Sequence, residues 1–383
     1  MDLTLIVIVV VVTALAFDFT NGFHDTANAM ATSIATGALK PRTAVIIAGA
    51  LNFVGAFLSV TVATTISKDL FDQNQIIASG IGPQVIFAGL CGAILWNLLT
   101  WLLGLPSSSS HALFGGLIGA MLVALGTGAI KFGGIITAVL LPAILSPIIA
   151  GIVALIATYI GYRIAERGAE KTVTSGFKAG QIVSASMVAL AHGTNDAQKT
   201  MGVITLTLIA AQMLTPADGV PFWVKFVCAA AIALGTYLGG WRIIRTLGKR
   251  VGEIETPQGF AAETTSGVLI LASSSLGFAL STTQVASGSI FGAAAGKRLA
   301  TVQWSVAGQM AIAWLLTLPA AAAVGAIASA VTNTGTVGTI LVIVVVIALS
   351  AGIFLASRRK PVTAGNVNDV PAGKQPVAAA AAV

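Results

Sequence analysis

Charge is what this chain has least of. Lys and Arg number 20 and Asp and Glu 13 in 383 residues, so charged residues make up 9% of the chain, against about 25% in an ordinary soluble domain. With 56% apolar residues and a mean hydropathy of +0.94, no soluble fold of this size hides its apolar surface behind so few charges. A soluble globular class is excluded, and the bilayer is the expected solvent. Cysteine is confined to Cys91 and Cys228, in separate apolar segments, which excludes a disulfide framework or a cysteine-built metal site and leaves both as packing residues. The net charge of +7 does not point to nucleic acid, because the basic residues sit in short loops between apolar runs, where membrane orientation explains them.

Those apolar runs lie at about 3–39, 43–66, 81–104, 111–126, 133–161, 179–213, 222–241, 260–277, 284–296, 304–328 and 335–356, the first and sixth interrupted by polar residues. A spanning helix needs about 20 apolar residues. Most runs qualify, and those at 111 and 284 are short. Basic residues gather at Lys40 and Arg42, Arg163 to Lys178, Arg242 to Arg250, Lys297 and Arg298, and Arg358 to Lys360. With these loops cytoplasmic and the N-terminus outside, the runs thread alternately. Met1-Asp2 offers no basic n-region, so the first run is read as a retained span rather than a signal peptide.

Five runs precede the basic loop and five follow it, with one more at the end. An odd number per half means that the second half enters from the opposite face. The expected fold is therefore an all-α polytopic membrane protein. It has two inverted-topology repeats of about five segments each, with broken helices and short re-entrant half-helices, plus a C-terminal span. The expected divisions are 1–162 for the first repeat, 163–178 for a cytoplasmic linker loop, 179–330 for the second repeat, 331–360 for the last span and 361–383 for a disordered tail rich in Pro, Ala, Val and Gly.

Two polar elements are duplicated inside this apolar frame. Asn21-Gly22-Phe23-His24-Asp25-Thr26-Ala27-Asn28-Ala29 returns as His192-Gly193-Thr194-Asn195-Asp196-Ala197-Gln198-Lys199-Thr200. An offset of 171 residues carries Gly22 onto Gly193, Asp25 onto Asp196 and Asn28 onto Lys199. Carboxylates and a lysine inside apolar segments are costly and mark an ion or substrate path. The second element, Ser107-Ser108-Ser109-Ser110-His111, returns as Ser281-Thr282-Thr283-Gln284 at an offset of 173 from Ser108. Each copy places a hydroxyl cluster just before a short apolar helix. A single hydroxyl there is an N-cap, but capping does not require three or four in a row. A helix N-terminus flanked by hydroxyl donors suits an oxyanion, and two facing each other would surround a tetrahedral one.

Carboxylates beside an anion site make sense if the anion carries a proton. Hydrogen phosphate can donate to Asp25 or Asp196, whereas sulfate cannot. Either carboxylate is also a candidate carrier of a co-transported proton, and pairing with Lys199 or helix capping is the structural alternative. His24, His111 and His192 titrate near neutrality and join the candidate proton path, with a plain hydrogen-bonded helix contact as the alternative for each. Asp18 lies one or two turns before the first motif, where it would line the approach. Asn97 is read chiefly as an interhelical contact, and Trp96 and Trp101 as interfacial residues.

The Asn21–Ala29 stretch, Gly104-Leu105-Pro106-Ser107-Ser108-Ser109-Ser110-His111-Ala112, Ala191-His192-Gly193-Thr194-Asn195-Asp196-Ala197-Gln198-Lys199, and Ser281-Thr282-Thr283 with Ser287-Gly288-Ser289 resemble the motifs of the inorganic phosphate transporter (PiT) family, from about residue 10 to residue 356. The resemblance implies a phosphate permease of the cell membrane, not an enzyme, and a homodimer. It places Asp25, Asn28, Asn195 and Asp196 with Ser107, Ser108, Ser109, Ser110, Ser281, Thr282 and Thr283 around substrate and coupling ion. It implies no bound cofactor.

Within that family the chain resembles the proton-coupled branch rather than the sodium-coupled one. Gln198-Lys199 stands where sodium-coupled members tend to carry Asn-Ala, and an ammonium offers no acceptor to sodium. Lys199 is thus expected in the place of a coupling cation, with Asp25 and Asp196 on the proton path. Similar bacterial members take up phosphate with protons as a neutral complex with a divalent metal such as magnesium. Gln284 departs from the pattern, since the second hydroxyl element usually ends in His. Carriers of sulfate or of a divalent metal, and a sodium-coupled permease, are the alternatives on this scaffold. A channel fits paired broken helices less well. An intramembrane serine protease built on Ser107 to Ser110 and His111 lacks a nucleophile elbow and leaves the duplication unexplained.

Overall fold

The structure, a computed structural model, describes residues 2–166, 170–297 and 302–369. The first repeat comprises α1 (Leu3–Ala35), α2 (Pro41–Gly55), the short α3 (Thr61–Lys68) and α4 (Gln73–Ser79), α5 (Gly82–Leu103), α6 (Ser109–Leu125) and α7 (Phe132–Ile135), which runs through a π-helical turn into α8 (Leu141–Ala165). The second comprises α9 (Glu170–Ala210), α10 (Phe222–Leu238), α11 (Trp241–Arg245) with its own π-helical turn, α12 (Thr256–Ser275), α13 (Thr282–Lys297) and α14 (Trp304–Thr332); α15 (Thr336–Ser357) follows. Apart from an isolated bridge between Phe71 and Ile130, no β-structure occurs among the described residues. Five of the described helical segments are long and apolar enough to cross a membrane: α1, α5, α7 with α8, α14 and α15.

Equivalent helices of the two halves run antiparallel. Thr36, near the end of α1, donates to Gln181, near the start of α9, over 2.8 Å, while Asp18 faces Thr200 toward the opposite ends of the same helices. The halves are therefore inverted. Their contacts are reciprocal as well. Gly55 on α2 presses on the Leu190 carbonyl and the Thr194 amide of α9, and Gly235 on α10 presses on the Phe19 carbonyl and the Phe23 amide of α1, the same pairing displaced by one repeat.

The closest packing also crosses between the halves. Gly115 and Gly119 of α6 lie against the Leu318 and Ala322 carbonyls of α14, and Gly288 and Gly292 of α13 lie against the Pro147 and Gly151 carbonyls of α8. Glycines four apart let two backbones touch, and in lipid this dispersion contact replaces the hydrophobic drive for association. Pro147 and Pro319 sit inside α8 and α14 at corresponding places. Such interruptions are tolerated where neighbouring helices cover the freed backbone.

The breaks between half-helices fall in two hairpins, α5–α6 and α12–α13. Gly104, at φ 66°, ends α5, and residues 105–108 lead extended into α6. The feet of this hairpin lie where Asp72 donates to the Ala129 carbonyl over 2.9 Å and Lys131 to the Lys68 carbonyl over 2.7 Å. The feet of the other are held at the opposite end, where Glu255 pairs with Lys297 and accepts from Tyr162 over 2.6 Å. Lys249 donates to the Ala35 carbonyl at that same end, and Arg242 donates to the Ser357 and Lys360 carbonyls. These described basic residues therefore share one end, which the positive-inside rule makes cytoplasmic.

Three details differ from the sequence-based expectation. The polar motifs do not interrupt α1 and α9, which are unbroken over 33 and 41 residues. Asp25, Asn28, Asp196 and Lys199 find partners on the hairpins, and Thr26 on the Gly22 carbonyl one turn back at 2.7 Å, so no break is needed to satisfy them. The stretch expected as a linker loop is largely helical: residues 163–165 finish α8 and residues 170–178 begin α9. The tail does not start at 361, because Arg245 holds the Asn366 carbonyl at 2.5 Å and Val367 is buried. Residues 167–169 of the expected linker, Arg298 and residues 370–383 lie outside the described residues.

Candidate functional site

The two hairpins enter from opposite ends and their tips meet between α1 and α9. Asp25, on α1, accepts from Ser109 at 2.8 Å, from Thr283 at 3.3 Å and from Thr282 at 3.5 Å, so its carboxylate is bonded by both tips. Asp196, on α9, accepts from Thr282 at 3.0 Å. The tips also bond each other, Ser110 donating to the Leu280 carbonyl at 3.2 Å. Aligned hydroxyls and paired carboxylates thus come together from four chain segments.

Asn28 and Lys199, equivalent by the 171-residue offset, each reach the tip of the opposite repeat's hairpin. Asn28 donates to Thr283 at 3.1 Å and to Thr282 at 3.4 Å. Lys199 donates to Ser110 at 2.6 Å, to the Leu280 carbonyl at 2.8 Å, and pairs with Asp196. This ammonium is 1% exposed, and burying it so fully requires the partners it has. Two carboxylates against one ammonium leave the site with one net negative charge when the histidines are neutral.

Each aspartate has a histidine partner. His24 Nδ1 lies 2.6 Å from Asp25, and its Nε2 is 3.2 Å from Thr100 and 3.4 Å from Ser107. His192 Nε2 lies 2.9 Å from Asp196, and its Nδ1 is 3.1 Å from Asn52 Oδ1. One ligand atom each from Asp25, His192 and Asp196 falls within 4.8 Å of the others, a spacing that suits a cation. His111, buried one residue beyond Ser110, lies in the field of Lys199.

The sequence-derived residues divide on inspection. Asp25, Asn28, Ser109, Ser110, Asp196, Lys199, Thr282 and Thr283 form the meeting point. Ser108 and Ser281 take the simpler part of helix caps, accepting from the His111 amide at 3.2 Å and the Gln284 amide at 3.3 Å. Ser107 turns back to donate to Thr100 at 2.8 Å. Asn195 donates to Ser274 at 2.9 Å, bonding its own repeat's hairpin as its counterpart His24 bonds Thr100.

Asn52 and Thr100 were not anticipated, nor was Glu263. Glu263 is buried on α12 and accepts from Thr32 at 2.5 Å, Ser184 at 2.8 Å and Gln181 at 3.3 Å. A lone carboxylate in the apolar run 260–277 was the signal for it.

The meeting point is closed at both ends. Thr246 donates to the Gly104 carbonyl at 2.8 Å and Arg242 to the Leu102 carbonyl at 3.3 Å, sealing the first tip with α11 on the basic side. On the other side α3 covers the second tip, where Gly277 packs against Thr61 and Thr65. An enclosed, hydroxyl-lined junction between inverted repeats, with acids and a base inside it, defines a secondary carrier of a small anion.

The chain belongs to the phosphate transporter family, whose profile matches it twice in tandem, over residues 21–174 and 162–325. It is 52% identical to a probable low-affinity inorganic phosphate transporter of Mycobacterium bovis across 97% of this chain and 91% of that one. Against a protein of the same description from Bacillus subtilis it is 46% identical, across 87% of this chain and 99% of that one. A solved structure described as the sodium-dependent phosphate transporter shares its fold, with a TM-score of 0.77 at 22% identity over 86% of this chain and 100% of that one. The protein is a multi-pass membrane phosphate transporter and not an enzyme.

Proposed function

We propose that the protein imports phosphate by proton symport, with the phosphate entering as a neutral complex with a divalent metal. The observation that carries this reading is Lys199. Its ammonium already occupies the cation position beside Asp196 and bridges to both hairpin tips. A tethered positive charge there leaves less for sodium to add and supplies no acceptor for it. The imidazoles of His24 and His192 lie against Asp25 and Asp196 and place a nitrogen base beside each carboxylate.

In this reading the substrate replaces the bonds the site now makes to itself. Ser109, Ser110, Thr282 and Thr283 release the carboxylates and donate to phosphate oxygens, assisted by the amide ends of α6 and α13. The proton of hydrogen phosphate is accepted by Asp25 or Asp196. Sulfate offers no such proton and leaves a buried carboxylate facing an anion. The metal travels as cargo bound to the phosphate. A neutral complex adds no charge to the site, which favours its entry into a low-dielectric junction. Homodimeric assembly is part of the same proposal and rests on the family resemblance.

Sodium coupling is the second reading, favoured by the description of the solved structure that shares the fold. Uptake of radiolabelled phosphate into proteoliposomes separates the two. Uptake driven by an inward proton gradient without sodium, and raised by magnesium, is the expected result. A strict requirement for sodium would overturn it.

A further inference from the structure

The outer approach to the junction holds an acid that the site just described does not use. Asp18 lies on α1 two turns outward of Asp25. It is fully buried, and neither carboxylate oxygen has a hydrogen-bond partner of normal geometry. Around it are other buried polar groups in the same condition. Asn21, one turn along α1, has neither amide atom paired, and Thr200, which faces Asp18 from α9, has an unpaired hydroxyl. Asn97, one turn outward of the Thr100 that bonds His24, likewise has neither amide atom paired.

Buried polar groups are nearly always satisfied, and a cluster of exceptions indicates ordered water or a passing ion. Glu263 shows the contrast. It lies on the inner side, opposite Thr32, two turns beyond Asp25, and three side chains donate to it. Glu263 has three side-chain donors of normal geometry, whereas Asp18 has none and only Thr200 faces it.

Neither acid has a counterpart in the other repeat. The 171-residue offset carries Asp18 onto Ala189, and α5, the counterpart of α12, contains no acid. Asp18 thus breaks the pseudo-symmetry on the outer side alone, which a residue serving only the fold of the repeat would not need to do. The charged and titratable groups facing it are Asp196 and Lys199 from α9 and Cys228 from α10. From α5 comes no charged side chain.

We propose that Asp18 is the outer loading site for the coupling proton, in a wet vestibule lined by Asn21, Asn97 and Thr200. This rests on the proton-symport reading above. The proton moves from external water to a carboxylate oxygen of Asp18, and no other bond changes. Ionised Asp18 offers only acceptors to the oxygens of an incoming phosphate, so it cannot bond them even when a metal neutralises the complex. Once protonated it is neutral and presents a donor to a phosphate oxygen. Phosphate therefore passes inward only after the proton has been taken up, and the two fluxes are tied together at that contact.

The test uses the full chain in proteoliposomes, as wild type, Asp18→Asn and Asp18→Glu. Two fluxes of radiolabelled phosphate are read: net uptake driven by an inward proton gradient, and exchange against unlabelled internal phosphate without a gradient. Asp18→Asn is neutral at every pH, so it should lose driven uptake by at least about tenfold yet keep exchange within about twofold, with Asp18→Glu recovering driven uptake. Retained exchange also shows that the variant is folded. Driven uptake by Asp18→Asn equal to wild type would overturn the assignment, as would parallel loss of both fluxes in Asn and Glu variants. A wild type driven only by sodium would overturn the symport reading first and this inference with it.

Discussion

Lys199 donates to Ser110 over 2.6 Å and so ties the motif helix of the second repeat to the hairpin tip of the first. Its own repeat is tied in as well, through Asp196 and the Leu280 carbonyl. A buried ion pair adds little compared with an apolar filling, but removing one partner strands the other. Lys199→Ala is therefore expected to cost about 3–5 kcal/mol, read as a lower thermal unfolding midpoint in detergent. Asp196→Asn in the same chain should recover part of that loss, because it removes the stranded charge. A double variant no more stable than Lys199→Ala would show that the ammonium acts through its contacts to Ser110 and Leu280 alone.

Asp25 is bonded by both hairpin tips, so its loss should be felt in transport more than in folding. Asp25→Asn keeps shape but cannot accept the substrate's proton, and phosphate uptake should fall by about a hundredfold or more, as expected for a charge-assisted contact worth about 1.5–3 kcal/mol combined with loss of coupling. Ser109→Ala removes one donor and should reduce uptake by about tenfold. Initial rates of labelled phosphate uptake at equal protein density check both. A Ser109→Ala loss as large as that of Asp25→Asn would mean that this serine shapes the whole tip.

The duplicated motifs were legible because each is a cluster of polar residues in an apolar run, at nearly one offset throughout. Inversion followed from parity and from the placement of basic residues. What the sequence did not reveal depends on contacts between distant segments. Asn52 faces His192 across α2 and α9, and Glu263 gathers Thr32, Ser184 and Gln181 from two other helices. Nothing in the local pattern of either residue names its partner. The continuity of α1 and α9 was hidden for the same reason: polar residues suggest a break until the hairpin tips that satisfy them are in place. Within the serine cluster, composition could not separate Ser108, a helix cap, from Ser109, which faces Asp25.

The glycine crossings predict a steep dependence on side-chain size. A Cβ at Gly119 would lie 2.0 Å from the Ala322 carbonyl oxygen, and one at Gly292 would lie 2.0 Å from that of Gly151. These neighbours are backbone, so the helices must separate. Gly119→Val and Gly292→Val should both sharply reduce the yield of folded protein in size-exclusion chromatography, while Gly352→Ala, with nothing within 4 Å, should be silent or slightly stabilising because alanine is the better helix former. Tolerance of valine at either crossing would contradict the reciprocal packing.

At the cytoplasmic end, Glu255 gives a pH dependence that can be read in the folded protein. Partial burial pushes its carboxyl up, but the Lys297 ammonium and the Tyr162 hydroxyl outweigh this and hold it below the ordinary glutamate range. A depressed carboxyl stabilises the folded state above the unfolded-state value of about 4.3, and that contribution is lost as pH falls through the lower folded value. Glu255→Gln lacks the charge at all pH values. Wild type should therefore be the more stable near pH 7, and the difference should close in acid. Both partners are substantially exposed, at 51% for Glu255 and 36% for Lys297, so the gap near pH 7 should be under about 1 kcal/mol and shrink further in high salt. Unfolding midpoints of the two proteins between pH 7 and pH 3 make the comparison, and a gap that widened in acid would reverse the sign assigned to the pair.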